Sequence, residues 1–185
     1  MNQLTQFKKI RILPLLIAPA LVAIVTFTPR PALATPGCGF TGTNLLAPVP
    51  FGDFPSGSLN LMCNEFDLYG WNIKAMVKGD SDLYVTLNTW QAGGRTGWHT
   101  HPGPSLITVI EGTITVYDSS DSTCTPTTYT AGQTFTDVGC GDIHNVVNNT
   151  TAEAQAVAVQ IVPHGQMRRQ DKLQPANCPA LTCPQ

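Results

Sequence analysis

The sequence predicts an all-β chain, a sandwich or closed barrel, from three observations. Leu83, Val85, Leu87 and Thr89 alternate with Tyr84, Thr86, Asn88 and Trp90, which is the period of a pleated strand. Two β-rich runs, Leu106–Ile110 and Thr113–Tyr117, flank Glu111-Gly112, so a hairpin is expected over Ser105–Tyr117. Beyond residue 34 no stretch sustains a helical period over three turns.

The amino terminus is of a different kind. Lys8, Lys9 and Arg11 precede an almost unbroken apolar run from Ile12 to Phe27, and Ala32-Leu33-Ala34 closes it. A basic start, an apolar middle and small residues at the end are the three parts of a secretory signal. Residues 1–34 are therefore expected to be cleaved after Ala34, leaving a secreted or periplasmic chain without a stable membrane anchor. The run carries Pro14 and Pro19 and is short for a span of about 20 residues. Residues 35–70 are rich in Pro, Gly and Ser and read as an irregular N-terminal arm, held through Cys38 and Cys63. A single β-barrel is expected over 71–163. Beyond the 105–117 hairpin, its further strands fit Thr127–Thr130, Thr134–Asp137, His144–Asn148 and Glu153–Val162. Residues 164–185 form a Pro- and Cys-rich tail over the surface.

Charge narrows the partners. The chain has 10 Lys and Arg against 12 Asp and Glu. Removal of Lys8, Lys9, Arg11 and Arg30 with the signal leaves six basic residues and a net charge of −6. Nucleic acid and anionic lipid both require a basic face, so neither is expected as a partner. Arg168-Arg169 with Lys172 is the nearest thing to a basic cluster and reads as part of a solvated tail. All six cysteines, Cys38, Cys63, Cys124, Cys140, Cys178 and Cys183, lie beyond the cleavage site, and no Cys-x-x-Cys occurs. In an exported chain this is a disulfide pattern rather than a thiolate metal site, with its connectivity open.

The chemistry lies in the histidines. In His99-Thr100-His101 the two imidazoles stand at i and i+2, on one face of a strand. His144, on a later strand, can supply a third nitrogen. Neutral imidazole is the common ligand of zinc, iron, copper and nickel, and three protein ligands leave coordination positions open. A His-x-His pair alone fits two surface histidines equally well, but its surroundings carry more. Gly93 stands six residues before His99, Pro102-Gly103-Pro104 follows His101, and Gly112 closes the block. Downstream stand Gly132, Gly139, Gly141, His144 and Asn148.

These two blocks resemble the paired motifs of the cupin superfamily. The first motif runs Gly, five residues, His-x-His, three or four residues, Glu, six residues, Gly. Here it is Gly93, His99, His101, Ser105 at the Glu position, and Gly112. The second runs Gly, five residues, Pro-x-Gly, two residues, His, three residues, Asn. Here it is Gly132, Gly139 at the Pro position after one extra residue, Gly141, His144 and Asn148. The resemblance implies a single double-stranded β-helix, or jelly-roll, with irregular disulfide-linked N- and C-terminal arms. It implies one divalent transition metal (Fe, Zn, Cu, Ni or Mn) on His99, His101 and His144. Ser105 and Asn148 are the further site candidates. Serine departs from the family Glu and is a poor ligand. Glu111 shares its strand parity but lies about 20 Å farther along at ~3.3 Å per residue, and reads as a turn residue. The change to Gly139 is expected to affect turn stiffness more than chemistry.

Asn148 is expected to hold the barrel wall by a hydrogen bond, and His164 to lie at the surface or rim. Trp90, Trp98 and Tyr117 read as packing residues. Asn148-Asn149-Thr150-Thr151 contains glycosylation sequons. Two functions fit. One is a three-histidine oxygenase-type enzyme acting on a small molecule, with no general base identifiable, since only Asp137 and Asp142 stand near the motifs. The other is a non-enzymatic metal- or ligand-binding module, or an extracellular structural protein. A small-molecule ligand or substrate is the expected partner, and a homodimer is admitted.

Overall fold

The computed structural model describes residues 34–50, 59–65, 70–181 and 183. The expected secretory segment falls outside these residues except for Ala34. Every regular element described is a strand: β1 Cys38–Asn44, β2 Val49–Pro50, β3 Leu59–Glu65, β4 Trp71–Val77, β5 Ser81–Arg95, β6 His99–Thr100, β7 Ser105–Glu111, β8 Thr113–Asp118, β9 Thr127–Thr130, β10 Thr134–Asp137, β11 His144–Val147, β12 Ala154–Pro163 and β13 Gln170–Asp171. Eleven of them form one nearly closed, barrel-like sheet, while β3 and β4 pair separately as a two-stranded sheet. The all-β jelly-roll expectation stands.

The barrel has two walls. In the first, β1 pairs with β5, β5 with β12, β12 with β7, and β7 with β10. In the second, β9, β8, β11, β6 and β13 pair in turn, all antiparallel. β5 serves both, running from Ser81 to Trp90 along β12 and then reaching Val147 of β11 through Arg95. The bend falls at Gly93, whose φ is +71°, a conformation that glycine adopts without steric cost.

The strand periods explain the core. On β12, Ala154, Ala156, Ala158, Gln160 and Val162 are buried and alternate with half-buried neighbours. On β7, Ser105, Ile107 and Val109 face inward while Leu106 and Ile110 are exposed. Trp90, Ile107, Val109, Ile114 and Val146 pack with the three alanines. Burying each of these large side chains contributes about 1.5–3 kcal/mol. Ala158 is small, and with Trp90 it lines an open cavity at one end of this core.

The structure departs from the sequence reading in three places. The runs on either side of Gly112 are strands, as expected, but they do not pair with each other. β7 pairs with β10 and β12, whereas β8 pairs with β9 and β11. Gly112 alone separates them, with φ +70°, and a Cβ there would lie 2.6 Å from the Glu153 carbonyl oxygen. One residue is too short for the two-residue hairpin turn, so the chain turns a corner and crosses to the opposite wall. The arm expected to be irregular contributes β1 to the first wall, because its backbone satisfies the edge of β5. Cys38 pairs with Cys183 across 145 residues, not with Cys63, so the two arms are tied to each other. Cys124 pairs with Cys178, and Cys140 has no disulfide partner among the described residues.

Candidate metal centre

The second wall carries the histidines. β6 and β11 pair with His99 directly opposite His144, and His101 follows two residues after His99 on the same side. Ring centroids lie 4.2 Å apart for His99 and His144, 4.9 Å for His99 and His101, and 5.3 Å for His101 and His144. One nitrogen from each falls within 4.8 Å of the others, and all three residues are buried. The structure thus brings together the three histidines that the motifs single out.

Their protonation follows from their surroundings. The Nδ1–H of His99 donates to the Gly97 carbonyl at 2.8 Å, and that of His101 to the Arg168 carbonyl at 2.6 Å. A ring whose Nδ1 carries the proton presents a bare lone pair at Nε2, the form a metal ligand requires. Burial pushes all three pKa values down. His99 lies well below its ordinary value, with the neighbouring His144 as the next cause. His101 falls to about 4, and the fall of His144 is opposed by the charge of Asp137. Near neutral pH the centre is therefore three uncharged imidazoles, aimed together and partly fixed by outer hydrogen bonds. That donor set fits a divalent transition ion.

The other candidates separate clearly. Ser105 lines the cavity beside the histidines, where its hydroxyl donates to Asp137 at 3.3 Å and accepts from Gln160 at 2.7 Å. Asn148 does not reach the cavity. Its amide donates to the Trp90, Gln91 and Ala152 carbonyls and its oxygen accepts from Thr150, so it holds the wall. With that amide buried and engaged, Asn149 is the accessible residue of the double sequon. Glu111 is exposed at the end of β7, and His164 pairs with Asp82 at the surface at 2.8 Å. Trp98 is fully buried against Cys124 and Cys178. Trp90 both packs the core and lines the cavity.

Three residues lining the cavity are not assigned to it by the sequence reading. Asp137 faces the histidines, with carboxylate oxygens 3.6 Å from His101 Nε2 and 3.7 Å from His144 Nδ1. Its parity with inward Phe135 on β10 is the one signal that could have found it. Arg168 and Arg169, read as part of a solvated tail, both line the cavity. Arg169 donates to the Thr96 carbonyl and to Asp171, and Arg168 to Gln160 at 3.0 Å. β13 pairs with β6 and Cys178 bonds to Cys124, so the tail is drawn onto the mouth of the barrel. Nothing local in the sequence encodes that. Gly139 also touches the site, since its N–H donates to Asp137 at 2.8 Å. A Cβ at that position would lie 2.2 Å from the Gly103 carbonyl oxygen, and proline there would have no N–H to give.

The cavity holds about 480 Å3 of empty space, counted with its open mouth. Phe40, Trp90, Ile107 and Phe135 make one side apolar, while the histidines, Asp137, Arg168 and Arg169 make the other polar. Arg168 has no carboxylate partner among the described residues. Asn88 Oδ1 and Trp90 Nε1, buried in residues of the same lining, are without a protein hydrogen bond. A largely apolar pocket with a few convergent polar groups is the common form of a small-molecule site.

A family model described as a cupin domain matches residues 86–160. No curated protein sequence matches the chain. Among solved structures it is similar to the polyketide cyclase RemF from Streptomyces resistomycificus, at 14% identity over 80% of this chain and 84% of that one, with a TM-score of 0.47. It is also similar to a cupin superfamily protein from Desulfitobacterium hafniense DCB-2, at 10% identity over 43% and 67%, TM-score 0.37. An oxalate oxidase structure is similar at 25% identity over 44% and 46%, TM-score 0.37, so the chain spans less than half the length of that enzyme.

Proposed function

Since this chain belongs to the cupin superfamily, through the cupin domain at residues 86–160, we propose that it is a secreted protein in which His99, His101 and His144 hold one divalent transition metal for oxygenase-type chemistry on a small molecule. The observation that carries this reading is the convergence of three buried, uncharged imidazoles on one point of an open cavity. A bound ion of this kind supplies Lewis-acid chemistry and, if redox-active, electron transfer. The chain's own residues supply the rest. Phe40, Trp90 and Phe135 exclude water from an apolar substrate body, and Arg168 and Arg169 orient an electron-rich group toward the histidines. The disulfides of the chain are compatible with an extracellular location, and cleavage after Ala34 is part of the proposal.

The test is elemental analysis of the full chain exported to an oxidising compartment, beside a His99→Ala/His101→Ala variant. About one equivalent of a single metal, absent from the folded variant, supports the reading, and the metal found selects the turnover assays. No metal in either protein when excess is offered overturns it. A second reading, a non-enzymatic binding module, draws on the two disulfides that clamp both termini onto the barrel. Ligand binding without turnover in the metal-loaded protein would favour it.

A further inference from the structure

The geometry points to a fourth donor outside the His-x-His block: we propose that Asp137 completes the centre, so that the metal set is three imidazoles and one carboxylate. This rests on the three-histidine reading above. The carboxylate comes from β10, across the cavity from the histidine strands, and in the β7–β10 ladder Asp137 stands directly opposite Ser105. A short neutral side chain on one strand thus faces an acidic one on the next.

Distance is the first argument. The gaps of 3.6 Å to His101 Nε2 and 3.7 Å to His144 Nδ1 are too long for hydrogen bonds. Donor atoms sharing a divalent ion through bonds of about 2.1 Å stand roughly 3.0–3.4 Å apart in octahedral or tetrahedral geometry. Toward His101 and His144 the carboxylate is therefore spaced close to a co-ligand, a few tenths of an ångström wide.

Charge is the second. The Asp137 side chain is only 8% exposed, and a carboxylate removed from water needs a compensating cation. Among the described residues no Lys or Arg is paired with it, and it faces two histidine rings at 3.6 and 3.7 Å. Arg168 and Arg169 line the same cavity without pairing with this carboxylate, and a bound ion would give it a direct cationic partner.

The third argument is preorganisation. Gly139 N–H donates to Oδ1 and Ser105 to Oδ2. Behind Ser105, Gln160 donates to its oxygen, and Arg168 donates in turn to Gln160. Every link points its donor toward the carboxylate, so the chain holds Asp137 as an acceptor turned to the histidines. Ser105 is on this view a positioning residue. A carboxylate in the set also suits harder ions such as manganese.

The experiment titrates Mn(II) alone into the full exported chain, wild type and Asp137→Asn, followed by the signal of the free ion, and records the visible spectrum of each protein with Co(II). The expected result is an Mn(II) affinity at least a hundredfold lower in Asp137→Asn, with Co(II) absorption rising as the coordination number drops. Should that variant fail to fold, Asp137→Glu retains the donor and is expected to keep the wild-type Co(II) spectrum. Unchanged Mn(II) affinity in Asp137→Asn overturns the proposal. So does a weakened affinity with an unmoved Co(II) spectrum, because a purely supporting role would produce that. Loss of metal in His101→Ala but not in Asp137→Asn overturns this proposal alone. Failure of the wild type to bind either ion overturns the three-histidine reading with it.

Discussion

The protein pairs histidine with aspartate in two places, and the two behave in opposite ways. At the surface, His164 meets Asp82 at 2.8 Å with its side chain 67% exposed; the contact raises the histidine pKa, and the Gly165 N–H together with His164 lowers that of the acid. In the cavity, His101 and His144 face Asp137 at 3.6 and 3.7 Å with all three side chains nearly out of solvent, and the histidine pKa values fall. Water pays the charging cost in the first case, so a direct ion pair forms. In the second, burial outweighs the neighbouring negative charge, and the imidazoles stay neutral, apart from the acid and available to a third party. The aspartates are similarly buried, at 11% and 8% exposure, so it is the exposure of the histidine that separates an ion pair from a cluster of neutral rings.

The largest contrast is in metal content. His101→Ala is expected to remove the bound ion entirely, whereas His164→Ala leaves it, as elemental analysis of the two would record. In the same measurement series, metal at a hundred times its dissociation constant raises the stability of the wild type by about 2.7 kcal/mol. Thermal unfolding of His101→Ala should show no such rise.

Next in size is the clamp. Replacing Cys124 and Cys178 by serine opens a bridge across 54 residues, at an expected cost of about 4 kcal/mol in denaturant unfolding. The tail carries the Arg168 carbonyl that fixes His101. Metal affinity should therefore fall too, while the His164–Asp82 pair keeps its pH signature.

The pH dependence sharpens the comparison through its sign. Unfolded His101 takes up a proton near its ordinary value of 6.5, but in the folded protein it does so only near 4. Between these the unfolded state binds more protons, so stability of the metal-free protein is lost as pH falls from about 6.5 toward 4. The loss from His101 alone is on the order of 3 kcal/mol, with His99 and His144 adding in the same direction. His164 works the other way. Its contribution is complete below about 6.5 and is lost as pH rises through its elevated folded value. The effect is the smallest of the set, visible as a flattened alkaline limb in urea titrations of His164→Ala, because exposed pairs are weak.

How far each part could be read depends on how local its cause is. β9 and β10 run over the residues expected, and β11 and β12 fall within a residue of expectation, because alternation and Gly punctuation are properties of adjacent residues. His99 and His101 share a face for the same reason. The corner at Gly112 looked like a hairpin because the two runs are β-rich on both sides. Their pairing partners lie 11 to 55 residues away, so the turn alone could not reveal them. β1 carries little pattern of its own and becomes a strand because β5 has an edge to cover.

The sequence by itself determined the strand content and the histidine set, together with the family to which they point, since these follow from side-chain period and motif spacing. Tertiary structure alone decided which carboxylate faces those histidines and which cations line the cavity. Asp137 reaches the site through a strand register opposite Ser105, and Arg168 and Arg169 through a tail pinned by β13 and a disulfide. Registers and cross-links join residues distant along the chain. Their energies arise only once the walls have closed, when a buried charge must find its partner.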